Sequence, residues 1–132
     1  MDNNRSDNPQ WDNLYYASLF HEGDMTLREK QAHFTINIAY LIIWSYNQGY
    51  ELTVGDCYRD IRCEYGHPKS LHRQRLAIDL NLFKDGAYLT NTEDYKPLGD
   101  YWKSLHALNR WGGDFKNNPD GNHFSVEHEG MR

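Results

Sequence analysis

The longest regular pattern in the chain starts at Thr26. Leu27, Phe34, Ile38, Leu41 and Ile42 recur at helical spacing and build an apolar stripe. Thr26-Leu27-Arg28-Glu29 has the form of a capping box, in which the threonine hydroxyl and the glutamate each accept a backbone N–H of the first turn. Gly49 is a natural stop, so the pattern predicts one amphipathic helix over residues 27–47. Beyond it the period changes to two. Tyr50-Glu51-Leu52-Thr53-Val54 reads as a strand that Gly55 and Asp56 interrupt. Residues 77–83 alternate, with Ile78, Leu80 and Leu82 on one face and Ala77, Asp79 and Asn81 on the other. Asp85-Gly86 is a hairpin dipeptide and predicts a return strand at Ala87-Tyr88-Leu89. Pro97 suits the first turn of a second helix, which Leu98, Tyr101, Leu105 and Leu108 continue until Gly112-Gly113 ends it. A last strand is predicted over residues 123–127, with Phe124 and Val126 inward and His123 and Ser125 on the opposite face.

These elements predict an α+β fold: a single small domain in which an antiparallel sheet is packed by two main helices. A chain of 132 residues can bury one core without staples. Residues 1–12 are polar and read as an N-terminal leader, leaving 13–132 as the domain; Trp11, Leu14, Tyr15 and Leu19 suggest a short segment docked on it. The composition, 39% hydrophobic and 14% aromatic, is that of a globular chain. A net charge of −5 gives no general electrostatic case for nucleic acid or anionic membrane. The apolar run from Phe34 to Tyr46 is too short to span a bilayer, so no stable membrane insertion is expected. The first residues lack the basic-then-apolar order of a secretory signal, and synthesis as a soluble cytoplasmic chain, acting as a monomer, is the expectation. Cys57 and Cys63 match neither a disulfide framework nor a C-x-x-C pair and are expected to be free thiols.

Candidate chemistry gathers in two places. Ser70-Leu71-His72-Arg73-Gln74-Arg75-Leu76-Ala77-Ile78-Asp79 is answered near the C-terminus by Asp120-Gly121-Asn122-His123. Two imidazoles and one carboxylate make three ligands, and a catalytic zinc needs three with a position left open. Across a continuous strand, His72 and Asp79 would stand about 23 Å apart on opposite faces; across a continuous helix they would share a face about 10 Å apart. A shared metal therefore requires a bend at Arg73, Gln74 and Arg75, with His72 delivered from a loop, Asp79 from its strand and His123 from a strand paired nearby. If Ile78, Leu80 and Leu82 pack inward, Asp79 faces the opposite side of the sheet, where the zinc cleft is expected. Asp120 is better used as a base that takes a proton from water acidified by zinc than as a fourth ligand. Pro119-Asp120-Gly121 is also good turn chemistry, and a turn is a sensible way to aim a base.

Ser70-x-His72-x-x-x-x-Ala77-x-Asp79, with His123 preceded by an acid three residues earlier, resembles the VanY/VanX-type zinc peptidases. That family comprises D-Ala-D-Ala carboxypeptidases and dipeptidases and the L-alanyl-D-glutamate endopeptidases of phage endolysins. Gly49 to Arg59, Leu76 to Phe83 and Trp111-Gly112-Gly113-Asp114-Phe115 give it the flavour of the small phage proteins, over about residues 25–126. The resemblance implies zinc on His72, Asp79 and His123, Asp120 as catalytic base, Arg59 as the arginine that polarises the scissile carbonyl, and Ser70 as a substrate-holding serine. It implies cleavage of the L-Ala–D-Glu bond in peptidoglycan stem peptides by an enzyme made in the host cytoplasm and released to the wall once the membrane is permeabilised. A D-Ala-D-Ala carboxypeptidase, or a non-catalytic zinc-containing wall-binding or virion module, are the alternatives. Arg75 stands where the family pattern commonly has Gly. Arg62 and Arg75 are further candidates for a substrate carboxylate, although a solvated Arg62 is the blander reading. His67 reads as a loop residue, and His21, His33, His106 and His128 as surface or helix residues. Asp114 orients a ligand or merely accepts hydrogen bonds in a turn, with equal weight.

Overall fold

The structure, a computed structural model, describes residues 25–132; the expected leader, the segment of Trp11 to Leu19 and His21 lie outside the described residues. Helix α1 runs Leu27–Asn47, and its first turn is closed by the capping box: Glu29 N–H donates to the Thr26 hydroxyl at 3.2 Å and Thr26 N–H donates to the Glu29 carboxylate at 3.1 Å. Strand β1 is Glu51–Val54, β2 is Ala77–Lys84 and β3 is Ala87–Leu89. The turn between β2 and β3 places Asp85 at φ 50° and Gly86 at φ 79°, the left-handed pair that a two-residue hairpin demands.

Helix α2 is Lys96–Leu105, with Pro97 in its first turn. It ends before the predicted Leu108. Asn109 donates its side-chain amide to the Trp102 carbonyl at 2.9 Å, capping one of the last-turn carbonyls that no helical N–H can reach. His106 is extended, and the chain enters a strand that the periodicity did not reveal, β4, Asn109–Trp111. Gly112 and Gly113 are therefore not a helix stop. Trp111 lies against Gly99 of α2 and against Gly113, where a Cβ would come within 2.2 Å of the indole at either position. Strand β5 is His123–Val126, one residue shorter than predicted.

All pairings are antiparallel, in the order β1-β2-β5-β4, with β3 beside the distal end of β2. Ile78, Leu80 and Leu82 from β2 and Phe124 and Val126 from β5 enter one core with Phe34, Tyr40 and Leu41 of α1 and Leu98, Trp102 and Leu105 of α2. Fully burying each such side chain contributes roughly 1.5–3 kcal/mol. The alternation predicted for β2 holds: Ile78, Leu80 and Leu82 are buried, while Asp79 and Asn81 are half-buried on the other face. In β5 all four residues are buried, so His123 and Ser125 are covered as well. Among the described residues no helix is long and apolar enough to cross a membrane.

Candidate metal centre

The register of the sheet does half of the assembly. Asp79 of β2 pairs directly with His123 of β5, so two of the three proposed ligands sit side by side on one face. The third arrives as the bend requires. A single 3₁₀ turn, Leu71–Gln74, carries His72, capped by the Ser70 hydroxyl, which accepts His72 N–H at 3.2 Å. Arg75 then adopts φ 57°, ψ 36° and turns the chain into β2. This left-handed conformation favours glycine, and here it is held by a residue that carries a Cβ.

His72, Asp79 and His123 each present a ligand atom, all within 4.8 Å of one another. His72 Nε2 and His123 Nδ1 both stand 3.3 Å from Asp79 Oδ1. Two ligand atoms on a tetrahedral ion, with bonds of roughly 2.1 Å, stand about 3.4 Å apart, whereas a charge-assisted hydrogen bond is usually about 2.7–2.9 Å. His72 Nδ1 donates to the Cys57 carbonyl at 2.9 Å. A carbonyl can only accept, so the proton is on Nδ1 and the Nε2 lone pair faces the cluster. The two rings meet edge to face, 5.1 Å between centroids. These residues fit zinc by donor type, spacing and orientation.

The electrostatics agree. Burial raises the Asp79 carboxyl, but the adjoining imidazoles of His123 and His72 outweigh it and hold the pKa at about 2. Burial pulls His72 down, and the Asp79 carboxylate together with the Cys57 carbonyl more than reverses this, so the imidazole lies above its ordinary value. Asp79 is thus an anion throughout the neutral range, as a metal ligand must be.

Asp120 is set beside the centre by the backbone. Its N–H donates to the Gly112 carbonyl at 2.9 Å, and its own carbonyl accepts His123 N–H at 3.2 Å. A Cβ on Gly112 would fall 2.0 Å from the Asp120 carbonyl oxygen and 2.8 Å from His123 Cβ, so only glycine lets this turn close on the ligand. Trp111 Nε1 donates to the Gly121 carbonyl at 2.7 Å and fixes the other side. Asp120 as a whole is exposed, yet desolvation of its carboxyl and the Asp79 charge push its pKa above the ordinary range, against the pull of His123 and His72. A carboxylate of raised basicity beside a metal site is suited to accept a proton.

The other candidates divide. Arg59 is held against the ligand loop, its N–H donating to the His72 carbonyl at 3.1 Å and its guanidinium to Asp56 at 3.2 Å. Arg62 is 88% exposed and forked onto Asp60, and Arg75 lays its guanidinium over Tyr58 at 4.0 Å; neither is brought among the ligands. Asp114 takes the Lys103 ammonium at 2.7 Å and does not orient a ligand. His67 accepts Lys69 N–H within its loop. His33 is a helix residue rather than a surface one: it lies in α1, 1% exposed, hydrogen-bonded to Asn37 at 2.6 Å and packed edge-on against His106.

The contacts of three residues had no signal in the sequence. The Cys57 carbonyl orients His72. Asp56 accepts Asp79 N–H on its carbonyl at 2.7 Å and Arg59 on its carboxylate. Arg73 donates to the Ile61 and Cys63 carbonyls at 3.2 and 2.7 Å, tying the preceding loop to the 3₁₀ turn. Apart from the Asp56 carboxylate on Arg59, these contacts each end on a backbone carbonyl, which spacing rules for side chains do not register.

Residues 65–126 match a family model described as D-alanyl-D-alanine carboxypeptidase; the match takes in His72, Asp79, Asp120 and His123. Among solved structures, the Serratia marcescens L-Ala D-Glu endopeptidase ChiX is similar in fold, with a TM-score of 0.58 and 18% identity over 71% of this chain and 77% of that one. No curated protein matches the sequence. The segment that carries the site is thus similar to the D-alanyl-D-alanine carboxypeptidase family, over slightly less than half of the chain.

Proposed function

We propose that the chain is a zinc-dependent endopeptidase that cleaves the L-Ala–D-Glu bond of peptidoglycan stem peptides, serving as a monomeric phage endolysin. The observation that carries this reading is the convergence of His72, Asp79 and His123 with Asp120 beside them, three ligands and a separate base of raised pKa. A structural zinc would need four ligands and no base, which argues against a non-catalytic wall-binding module.

His72, Asp79 and His123 hold the metal. A zinc ion bound there supplies Lewis acidity, which polarises an amide carbonyl and lowers the pKa of water to about 7. Asp120 takes the proton of the attacking water and returns it to the leaving amine nitrogen. Arg59 presents positive charge to the oxygen that gains negative charge as the carbonyl is attacked, a form of stabilisation that is large where solvent is excluded. Ser70 keeps its hydroxyl on His72 N–H and so holds the first ligand in its turn. Arg62 and Arg75 lie on the exposed rim, where a D-Glu carboxylate would have to reach them.

The choice of bond rests on the motif likeness to the small phage peptidases and on the fold shared with an L-Ala D-Glu endopeptidase. Release to the wall after membrane permeabilisation rests on the same likeness. The second reading, hydrolysis of terminal D-Ala-D-Ala, is favoured by the description of the matched family. Digestion of purified muropeptides with the zinc-loaded protein, followed by mass spectrometry, separates the two. New D-Glu amino termini are expected; free D-Ala alone would favour the carboxypeptidase, and intact muropeptides would defeat both.

A further inference from the structure

We infer that Asp56, Tyr65 and Gly66 form a clamp that positions the Arg59 guanidinium, so that this arginine reaches the substrate already ordered. The inference rests on the peptidase reading for its catalytic consequence, but the clamp is a feature of the chain itself.

The Arg59 side chain is 10% exposed, and its Nε is buried without a hydrogen-bond partner. An arginine left in that state loses solvation, and disordering it would be the easy escape. Three contacts prevent the escape. Asp56 Oδ2 accepts the terminal NH2 group of Arg59 at 3.2 Å. The same oxygen accepts the Tyr65 hydroxyl at 3.0 Å, which fixes the carboxylate against rotation. The Tyr65 ring in turn lies under the guanidinium, 4.9 Å from its carbon to the ring centroid, a favourable cation–π distance.

Gly66 completes the enclosure. It sits at φ 82°, and a Cβ there would come within 2.2 Å of the other terminal nitrogen of Arg59. Any side chain would push the guanidinium out of place and strain the backbone as well. One carboxylate, one ring and one bare backbone position thus hold three sides of the group, and the unpartnered Nε–H is among the donors left over.

Asp56 also joins this clamp to the metal centre, because its carbonyl accepts Asp79 N–H at 2.7 Å. That bond belongs to the backbone and survives any replacement of the Asp56 side chain. Asp56 and Tyr65 are therefore positioning residues, acting through Arg59, and their loss should leave the ligand set intact.

The test combines a double-mutant cycle with a direct view of the arginine in the full-length, zinc-loaded protein. Asp56→Ala should lower kcat for muropeptide cleavage about tenfold, and Tyr65→Phe about threefold, with zinc content and KM nearly unchanged. In an Arg59→Ala background, Asp56→Ala should cost less than about twofold more, since residues acting as one unit are not additive. Asp56→Glu should recover part of the loss. The Arg59 Nε–H nuclear magnetic resonance signal, assigned by its disappearance in Arg59→Lys, should be ordered and slow to exchange in the wild type and broadened in Asp56→Ala. An unchanged Nε–H signal in both Asp56→Ala and Tyr65→Phe, or fully multiplicative rate losses in the cycle, would overturn the clamp. A wild-type protein with the ordered signal but no muropeptide cleavage would leave the clamp standing and overturn the peptidase reading instead.

Discussion

The two halves of the metal centre are built by different means. Asp79 and His123 face each other across a ladder of backbone hydrogen bonds between β2 and β5, with Phe124 and Ile78 buried behind them. His72 belongs to the irregular stretch between β1 and β2, where a four-residue 3₁₀ turn is the only regular element. On the sheet side the register itself sets the ligand spacing. On the loop side the spacing depends on individual contacts: the Ser70 cap, the Cys57 carbonyl on His72 Nδ1, and Arg73 on the carbonyls of Ile61 and Cys63. The lesson is that the residue on the loop side can be replaced at little cost to the fold, whereas replacements on the sheet side lower stability without unfolding the sheet.

The largest effects should expose that asymmetry. His72→Ala and His123→Ala should each abolish zinc binding and muropeptide cleavage. Thermal melts of the metal-free variants should then differ. His72→Ala, on a single turn of an irregular loop, stays near the metal-free wild type, while His123→Ala, which opens a space within the β2–β5 pairing, melts measurably lower. Equal melting temperatures would mean that the sheet does not depend on its ligand as described.

Asp120→Asn comes next. Its amide cannot accept the proton, and turnover should fall about 10²–10⁴-fold while zinc content and melting temperature hold. Glu127 and Asp114 are poor substitutes, since Arg110 and Lys103 already occupy them. A rate within a few-fold of wild type would remove Asp120 from the mechanism.

A third prediction concerns the core remote from the centre. Burial, with a contribution from His106, lowers the His33 pKa to about 4. The unfolded chain takes up this proton near 6.5, so between about 6.5 and 4 the unfolded state binds more protons and stability falls as pH falls. Two and a half pH units at 1.36 kcal/mol each amount to roughly 3 kcal/mol. Denaturant unfolding of wild type and His33→Gln across that window should show the difference, and parallel curves would refute it.

The smallest effect returns to the loop. Arg75→Gly relieves a left-handed residue, roughly 1–2 kcal/mol, but loses the stack on Tyr58 and gains unfolded-state freedom, each roughly 0.5–1 kcal/mol. Stability should change by less than about 1 kcal/mol. If Arg75 also meets the substrate carboxylate, KM rises while kcat holds; an unchanged KM removes that role.

The same asymmetry governed what could be read from the residues. The alternation of β2, the capping box of α1 and the Asp85-Gly86 turn are local, and each appeared where periodicity put it. The convergence of His72, Asp79 and His123 was legible because their types and spacing admit few geometries, and the bend at Arg73 to Arg75 followed from distance alone. Strand β4 was hidden because Leu108 prolonged the helical spacing, while the actual stop is a side-chain cap from Asn109 onto Trp102. His33 lies in helix α1 as one of its two readings had it, but its burial against His106 was not legible, because that contact is made by tertiary packing. The Asp56, Tyr65 and Gly66 enclosure of Arg59 was hidden for a like reason, since it depends on where an irregular loop folds back.

Calorimetric titration of the metal-free protein with zinc tests the central claim most directly, with Asp79→Ala as its comparison. The account predicts one tight site per wild-type chain and none in the variant, whose sheet nonetheless stays folded by circular dichroism. A variant that still binds one zinc with wild-type affinity, or a wild type that binds none, would contradict it.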